Sequence, residues 1–367
     1  MENSAEKLPF PAELMSERLL VWYRAQGREL PWRNSRDPYR IWLSEIMLQQ
    51  TTVTAVVDYY HRFLVRFPDI ETLAAATVEE VLTLWAGLGY YSRARNLHKT
   101  AQQVVSEKKS QFPQSVEQLQ QLPGIGRSTA GAIAALAFDL PEPILDGNVR
   151  RILSRLFAVR APARDRSVEK RLWRLAQQLV PAHSAHDYTQ AIMDLGATVC
   201  TPKRPGCEQC PLAELCLAKT FDLTAVVPMF RQKMKVPTRR QAIILIVSNS
   251  KKLIRRRKTE GLLGGMLEFP VVDLSDRVAP TTAVCELLSS YGCQAAADYI
   301  GTIRHSYSHF RLEAEVYTLS CSQVQIKTDH DLYWQSDADL DELALHGAHK
   351  KALALSRAKR RATDVWD

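Results

Sequence analysis

A glutamate, an aspartate and four cysteines are the residues of this chain whose types and settings suit chemistry. Glu45 lies in the apolar run IWLSEIML. A carboxyl group held there away from water resists ionisation and remains a proton donor near neutral pH. With Gln49 and Thr52, at spacings of four and seven, it reads equally well as the polar strip of a solvated helix. Asp146, in ILDGNVRRIL, precedes a helical pattern and read alone is an N-cap. Helix N–H groups beside its carboxyl bias it toward ionisation. Cys200, Cys207, Cys210 and Cys216 have six, two and five residues between them, and Pro202, Pro205 and Pro211 keep the loop compact. Four thiolates at this spacing suit a 4Fe-4S cluster or a tetrahedral zinc. A zinc ribbon more often carries two CxxC pairs, and the single pair here favours iron–sulfur.

These groups need elements to position them. LPGIG lies between two helical patterns, Val116 to Gln121 and Arg127 to Phe138. Gly124 and Gly126 supply the positive φ and bare backbone that a turn between helices needs. Such a turn leaves N–H groups facing outward at the start of the second helix, where the helix dipole favours a phosphate. Residues 116–138 thus read as a helix-hairpin-helix, a sequence-independent clamp on the DNA backbone. Pro141 and Pro143 end the second helix shortly before Asp146.

From about Leu14 to Leu217 apolar residues recur at three and four, the pattern of an all-α domain. IWLSEIMLQQTTVTAVVDYYHRFL reads as one buried helix, because its apolar positions nearly surround the axis. GLGYYSRARNLHK sets Gly87 and Gly89 in a turn ahead of Tyr90 and Tyr91, with Arg93, Arg95 and Lys99 following. Tyrosines there can wedge between bases while cations hold phosphates. The plainer reading is a connecting turn with one tyrosine in the core.

The chain has 367 residues and a net charge of +8, with a pI near 9.1. That length suits two domains. The basic balance favours a polyanionic partner, though by itself weakly. The N-terminus lacks a secretory pattern and no apolar run reaches membrane-spanning length, so an intracellular, cytoplasmic protein is expected. Seven cysteines, four of them crowded into one loop, speak for a metal rather than a disulfide framework. Residues 222–240, with FRQKMKVPTRR, read as a linker. QAIILIVSNSKKLIRRRK then reads as strand, turn and strand, FRLEAEVYTLS as a further strand and VCELLSSYGC as a helix. Residues 241–367 are therefore expected to form an α+β domain. Cys285, Cys293 and Cys321 read as small core residues of it, and HKKALALSRAKRR as a solvated helix face or tail.

Taken together, LPWR, SEIMLQQT, GLGYYSRARNL, LPGIGRSTAGAI, ILDGNVRR, DLGATVCTPKRP and the cysteine loop resemble, in order, the MutY-type adenine DNA glycosylases of the helix-hairpin-helix-GPD superfamily. The resemblance implies a helical catalytic domain over 1–221 with one 4Fe-4S cluster at 200–216, and a Nudix-like domain over 241–367. It implies that Glu45 protonates the adenine leaving group, that Asp146 supports positive charge on the sugar, and that Asn148 orients groups around Asp146. Gln50 and Tyr90 would wedge or fill the duplex, and Trp32, Arg33 and Gln190 would line the base pocket. The implied partner of this expected monomer is duplex DNA bearing adenine opposite 8-oxoguanine or guanine. In the second domain the helix VCELLSSYGC offers only Glu286, too few carboxylates for Nudix magnesium chemistry. A base-reading role remains, with Ser308 between Tyr307 and His309 able to sense the altered N7 and C8 edge of 8-oxoguanine. Relatives commonly carry phenylalanine where this chain has Tyr307, and the added hydroxyl leaves that contact's polarity open.

Three rivals frame these expectations: a bifunctional lyase, a thymine-mismatch glycosylase set apart mainly by the second domain and base-pocket details, and a non-enzymatic DNA-binding or redox protein. Lyases resembling endonuclease III carry a Schiff-base lysine where this chain has Ser128, and a serine forms no imine, so a monofunctional glycosylase is expected. A non-enzymatic DNA-binding protein would need neither Glu45 nor Asp146.

Overall fold

The computed structural model describes residues 6–162, 165–229, 236–258, 261, 263–293, 295–307, 309–320, 331–341 and 343–363. Of these, residues within Met1–Ala75 and Asn96–Lys233 form one packed unit, and those within Ala76–Arg95 and Met234–Asp367 form the other.

The helices of the first part run α1 (Ala12–Gln26), α2 (Pro38–Leu48), α3 (Val53–Arg66), α4 (Ile70–Ala75), α5 (Val78–Trp85), α6 (Ser92–Lys108), α7 (Val116–Leu119), α8 (Arg127–Phe138), α9 (Gly147–Leu156), α10 (Arg166–Leu179), α11 (Ala185–Asp194) and α12 (Leu217–Thr220). Sequence periodicity joined α2 and α3 into one helix; the chain instead breaks at Gln49–Thr52. Gln50 has a φ of +58°, and the Thr52 side chain accepts from Ala55 N as the cap of α3. The two halves therefore point their apolar faces independently. Thr52 does not share a helical strip with Glu45.

One core cluster gathers Met15 and Leu19 of α1, Ala132 and Leu136 of α8, Ile152 and Leu156 of α9, and Leu172 and Leu175 of α10. Helix α9 buries one apolar stripe in this cluster, which fixes the direction of its N-terminus and so the place of Asp146. Close approach matters on the other side. A Cβ at Gly131 in α8 would come within 2.3 Å of the Pro143 carbonyl oxygen, so glycine lets the proline segment lie directly on the helix.

The hairpin between α7 and α8 departs from expectation in one detail. Gly124 has a φ of +79° as expected, but Gly126, the N-cap of α8, sits at −86°, which any residue adopts. Its Cβ would meet nothing within 4 Å.

The C-terminal part has strands β1 (Thr238–Ser248), β2 (Lys251–Arg256), β3 (Leu267–Glu268), β4 (Val271–Asp273), β5 (Asp298–Ser306), β6 (Arg311–Ser320) and β7 (Leu332–Ser336), with helices α13 (Pro280–Ser290) and α14 (Gly347–Thr363). The main strand order is β3-β2-β1-β6-β5, with β4 on β1 and β7 on β2. β1 and β6 run parallel from Thr238 opposite Arg311 to Val247 opposite Ser320. β1 is buried on both faces, which explains its unbroken apolar run. Ile243 and Leu245 pack with Ala352 and Leu353 of α14, while Ile244 and Ile246 pack with Val284 and Leu288 of α13. Helix α14 thus carries core contacts as well as the solvated basic face expected of it.

Three local expectations need correction or adjustment. Cys285 is exposed, whereas Cys293 is buried as expected; Cys321 lies outside the described residues. Thr238, Arg239 and Arg240 belong to β1 rather than to a linker. At its other end, Val227 is buried and its carbonyl accepts from Arg155 Nε at 2.8 Å. Within the second unit, Arg95 Nη1 donates to the Gly264 carbonyl at 2.7 Å and Arg256 pairs with Glu79 at 2.5 Å. No described helix is long and apolar enough to cross a membrane.

Candidate active site and metal centre

A cavity of about 280 Å³ opens among the helices of the first unit, and both acidic candidates line it. Glu45 projects from the middle of α2, with part of its surface open to the cavity and the rest enclosed by protein. Burial pushes its carboxyl up to about 7, Asp146 adds to the rise and Arg33 opposes it. Asp146 caps α9: Val149 N donates to its Oδ1 at 2.7 Å and Asn148 Nδ2 to its Oδ2 at 3.3 Å. These donors pull Asp146 toward ionisation as the sequence implies, but burial outweighs them. Burial raises its carboxyl above the ordinary range, and the N–H groups and Arg151 only offset that rise.

Trp32, Arg33, Ser128, Asn148 and Gln190 line the same cavity. Arg33 is not free to swing: Nη1 donates to Asp194 Oδ2 at 2.6 Å and Nη2 to Oδ1 at 2.5 Å. Arg28 adds its own backbone N–H and guanidinium to the same buried carboxylate. Burial pushes Asp194 upward, yet the two arginines hold it below the ordinary range. Gln190 is oriented by its partners. His186 Nδ1 lies 2.7 Å from the Leu136 carbonyl, which can only accept, so the ring proton sits on Nδ1. The bare Nε2 then accepts from the Gln190 amide nitrogen at 2.7 Å, and Tyr23 donates its hydroxyl to the amide oxygen. Trp32 is held edge-on to Tyr60 at 5.3 Å. Ser128 Oγ accepts from Leu145 N at 3.0 Å, tying α8 to the residue before Asp146.

The remaining candidates do not line this cavity. Gln50 is exposed at the break after α2. Tyr90 is exposed with a φ of +50°, its ring 5.6 Å from the Arg93 guanidinium, whereas Tyr91 is buried. Gly124 and Gly126 sit at the hairpin. Tyr307 is half-buried and His309 exposed at the turn between β5 and β6; Ser308 lies outside the described residues.

Cys200, Cys207, Cys210 and Cys216 line one small cavity. Burial pushes the Cys210 thiol up to about 11, with the other three sulfurs adding to the rise, so a thiolate there needs a compensating metal. The four thiols line one cavity and so can serve a single metal centre.

Two arginines of α9, one helical turn apart, bind this loop to the acidic site. Arg155 Nη1 donates to the Thr201 carbonyl at 2.7 Å and lies 3.4 Å from Cys200 Sγ; Nη2 donates to the Pro202 carbonyl at 3.0 Å. Arg151 Nη2 donates to the Gly196 carbonyl at 2.6 Å. A Cβ at Gly196 would come within 2.5 Å of Asn148 Cβ, so only glycine lets that turn close on the site. Arg28, Tyr23, Arg151, Arg155, His186 and Asp194 were missed as site residues by sequence reasoning. The signal for two of them was the spacing Arg151 and Arg155, which puts both on one side of α9.

Residues 43–178 match the HhH-GPD superfamily base excision DNA repair proteins, residues 200–216 the iron-sulfur binding domain of endonuclease III, and residues 242–355 the NUDIX domain. The adenine DNA glycosylase of Mus musculus is 36% identical over 94% of this chain and 78% of its own length. That of Buchnera aphidicola (Acyrthosiphon pisum strain) is 38% identical over 70% and 74%. Among solved structures, a thermostable thymine-DNA glycosylase aligns with a TM-score of 0.52 and 29% identity over 57% of this chain and 97% of its own. The chain belongs to the MutY-type family of adenine DNA glycosylases, enzymes of base excision repair with a helix-hairpin-helix domain, an iron–sulfur loop and a Nudix-like domain.

Proposed function

We propose that this chain removes adenine mispaired with 8-oxoguanine, or with guanine, by hydrolysing the N-glycosidic bond of a nucleotide extruded from duplex DNA. One observation carries the reading: Glu45 and Asp146, from separate helices, line a single cavity. Adenine leaves poorly as an anion, and the deoxyribose becomes oxocarbenium-like as the bond breaks. Glu45, pushed up to about 7, protonates the departing base. Asp146, held by Asn148 and the N–H groups of α9, stays ionised and supports charge on the sugar. Glu45 then accepts a proton from the attacking water.

Trp32, Arg33 and Gln190 enclose the base, with the amide oxygen of Gln190 already committed to Tyr23. Gln50 and Tyr90, both exposed, enter the duplex as the base leaves the stack. The hairpin at Gly124 and Gly126 holds backbone phosphate. Ser128 in the lyase position makes the enzyme monofunctional. The four cysteines hold one 4Fe-4S cluster, which gives the loop a fixed shape and contributes no electron to the hydrolysis. Tyr307, Ser308 and His309 in the domain of 241–367 read the base opposite. The enzyme works as a monomer on intracellular DNA, its helical catalytic part over 1–221 joined to the C-terminal domain by a segment that ends where β1 begins at Thr238.

Base release is measured on duplexes with adenine opposite 8-oxoguanine, guanine or cytosine, and with thymine opposite guanine. Release of adenine in the order 8-oxoguanine, guanine, then cytosine is expected. Release of thymine in preference to adenine overturns the substrate, and normal turnover by Asp146→Asn overturns the mechanism.

A further inference from the structure

The Nudix-like unit contains a buried group of ionisable side chains that base release leaves unused. Glu268 is 1% exposed. Arg255 donates to its Oε1 from Nε at 3.0 Å and Nη2 at 2.5 Å, and Arg257 pairs with Oε2. His346, buried just before α14, places Nε2 at 3.6 Å from the same Oε2 and Nδ1 at 3.1 Å from the Tyr307 hydroxyl. His349 packs edge-on to His346 at 4.1 Å, and its Nδ1 accepts from Phe269 N at 2.8 Å.

Glu268, His346 and His349 have ligand atoms within 4.8 Å of one another, as a cation site would. Two guanidinium groups already neutralise the only carboxylate, and the Phe269 N–H occupies one imidazole nitrogen. A divalent cation is therefore a poor occupant, and the arrangement orders protons instead. Arg255 and Arg257 hold Glu268 ionised. His346 Nε2 makes no hydrogen bond, but a carboxylate 3.6 Å away favours a proton there over a lone pair, so Nδ1 of the neutral ring is bare and can only accept. Among the described residues the other charged or titratable groups facing His346 are Arg257, His349, His305 and Tyr307 itself. A phenol has one proton to give, and among the described residues the hydrogen-bond partner placed to receive it, His346 Nδ1, lies inside the domain.

We propose that the buried chain Glu268–His346–Tyr307 commits the hydroxyl proton of Tyr307 to the domain interior and makes His346 a positioning residue for the turn that faces the opposite base. The Tyr307 hydroxyl is then an anchor rather than a donor to DNA. The turn is otherwise held by Tyr307 N donating to the Phe310 carbonyl at 2.9 Å, and by the Tyr307 ring lying 4.7 Å from Phe310 and 4.6 Å from His305. Toward the duplex Tyr307 offers an aromatic face and lone pairs only. This inference rests on the reading that residues 307–309 recognise the opposite base.

The test uses the full chain with its cluster. Ring-nitrogen NMR of histidine-labelled protein, assigned with His346→Leu, should show a neutral His346 ring with its proton on Nε2. Tyr307→Phe should shift the Nδ1 resonance. A proton on Nδ1, or an Nδ1 signal indifferent to Tyr307→Phe, overturns the proposal. In base-release assays, Tyr307→Phe and His346→Leu should each lower the rate ratio for adenine opposite 8-oxoguanine over guanine about five-fold, the worth of one hydrogen bond. The double variant should lose no more than either single one. His346→Gln, whose amide oxygen can take the phenolic proton, should recover most of the ratio. Additive losses overturn the coupling. If Ser308→Ala and Tyr307→Phe both leave the ratio intact, base reading by this turn fails, and the NMR result still decides the hydrogen bond separately.

Discussion

Arg151 donates from Nη2 to the side-chain oxygen of Asn148 at 2.8 Å, while its Nε donates to the Cys200 carbonyl at 2.7 Å. One guanidinium thus joins the partner of Asp146 to the first residue of the iron–sulfur loop. Arg151→Met keeps the stem and removes the guanidinium with its hydrogen bonds to Gly147, Asn148, Gly196 and Cys200. The orphaned carbonyls and the released Asn148 should lower single-turnover base release by about ten- to hundred-fold, the usual range for loss of an orienting partner. Iron content and the charge-transfer absorbance should fall with it. A variant with full activity and full iron would separate the two sites.

Ser128 supplies the second link. Its hydroxyl oxygen satisfies the N–H of buried Leu145, the residue before Asp146. Ser128→Ala leaves that N–H without an acceptor, at a cost of about 1–3 kcal/mol, read as a lower urea midpoint. Ser128→Lys loses the same bond but projects an amine into the cavity. Borohydride should trap this variant on adenine-containing DNA and leave the unaltered protein free. Efficient trapping of the unaltered protein would mean that another amine forms the imine.

Much of this site was legible from local pattern. The cysteine spacing, the hairpin and the placement of Asp146 ahead of α9 depend on neighbours in sequence, and each appears where expected. What failed depended on distance in the fold. The net direction of the Asp146 shift turns on burial in the folded chain, whereas the sequence displays only the helix donors beside it. Arg33 meets Asp194 across 161 positions of chain, a pairing no local pattern announces. The break at Gln50 was hidden because apolar residues continue through it, and periodicity alone cannot see a backbone turn. Cys285 shows the reverse case: a residue type that favours interiors stands on the exposed face of α13.

Gly131 offers a test of how tightly that distance-dependent packing is set. The nearest atom to a new Cβ is a backbone oxygen of Pro143, at 2.3 Å, and a backbone cannot rotate aside as a side chain can. Gly131→Ala should destabilise the fold by about 1–3 kcal/mol through overpacking, against the usual helix gain from alanine. It should also slow base release, because the displaced segment leads directly to Asp146. A stabilised, fully active variant would show that this segment yields freely.

The two acids give the reaction opposite pH requirements. Glu45 acts in its protonated form, so the rate should fall as pH rises through about 7. Asp146 acts ionised, so the rate should also fall at low pH, at a limb above the ordinary aspartate range because burial raises that carboxyl. The profile of single-turnover rate against pH is expected to be bell-shaped. Replacing Glu45 with Gln removes the alkaline limb together with most of the activity. An alkaline limb that survives in residual Glu45→Gln turnover would assign it to another group.

The same elevation makes Glu45 a stability cost. Folded, it binds its proton up to about pH 7, while the unfolded chain releases it near 4.5. Between these values the native state holds one more proton than the unfolded state, so stability falls as pH rises and the loss is complete above the folded value. The shift corresponds to roughly 1–3 kcal/mol once the part of Glu45 open to the cavity is discounted. Glu45→Gln, close in shape and without charge, should therefore unfold at a higher denaturant concentration than the unaltered protein at about pH 8 and at nearly the same one at about pH 4. An equal gain at both values would point to packing rather than to the buried charge, and a loss at pH 8 would show that the carboxylate is stabilised there by a cation.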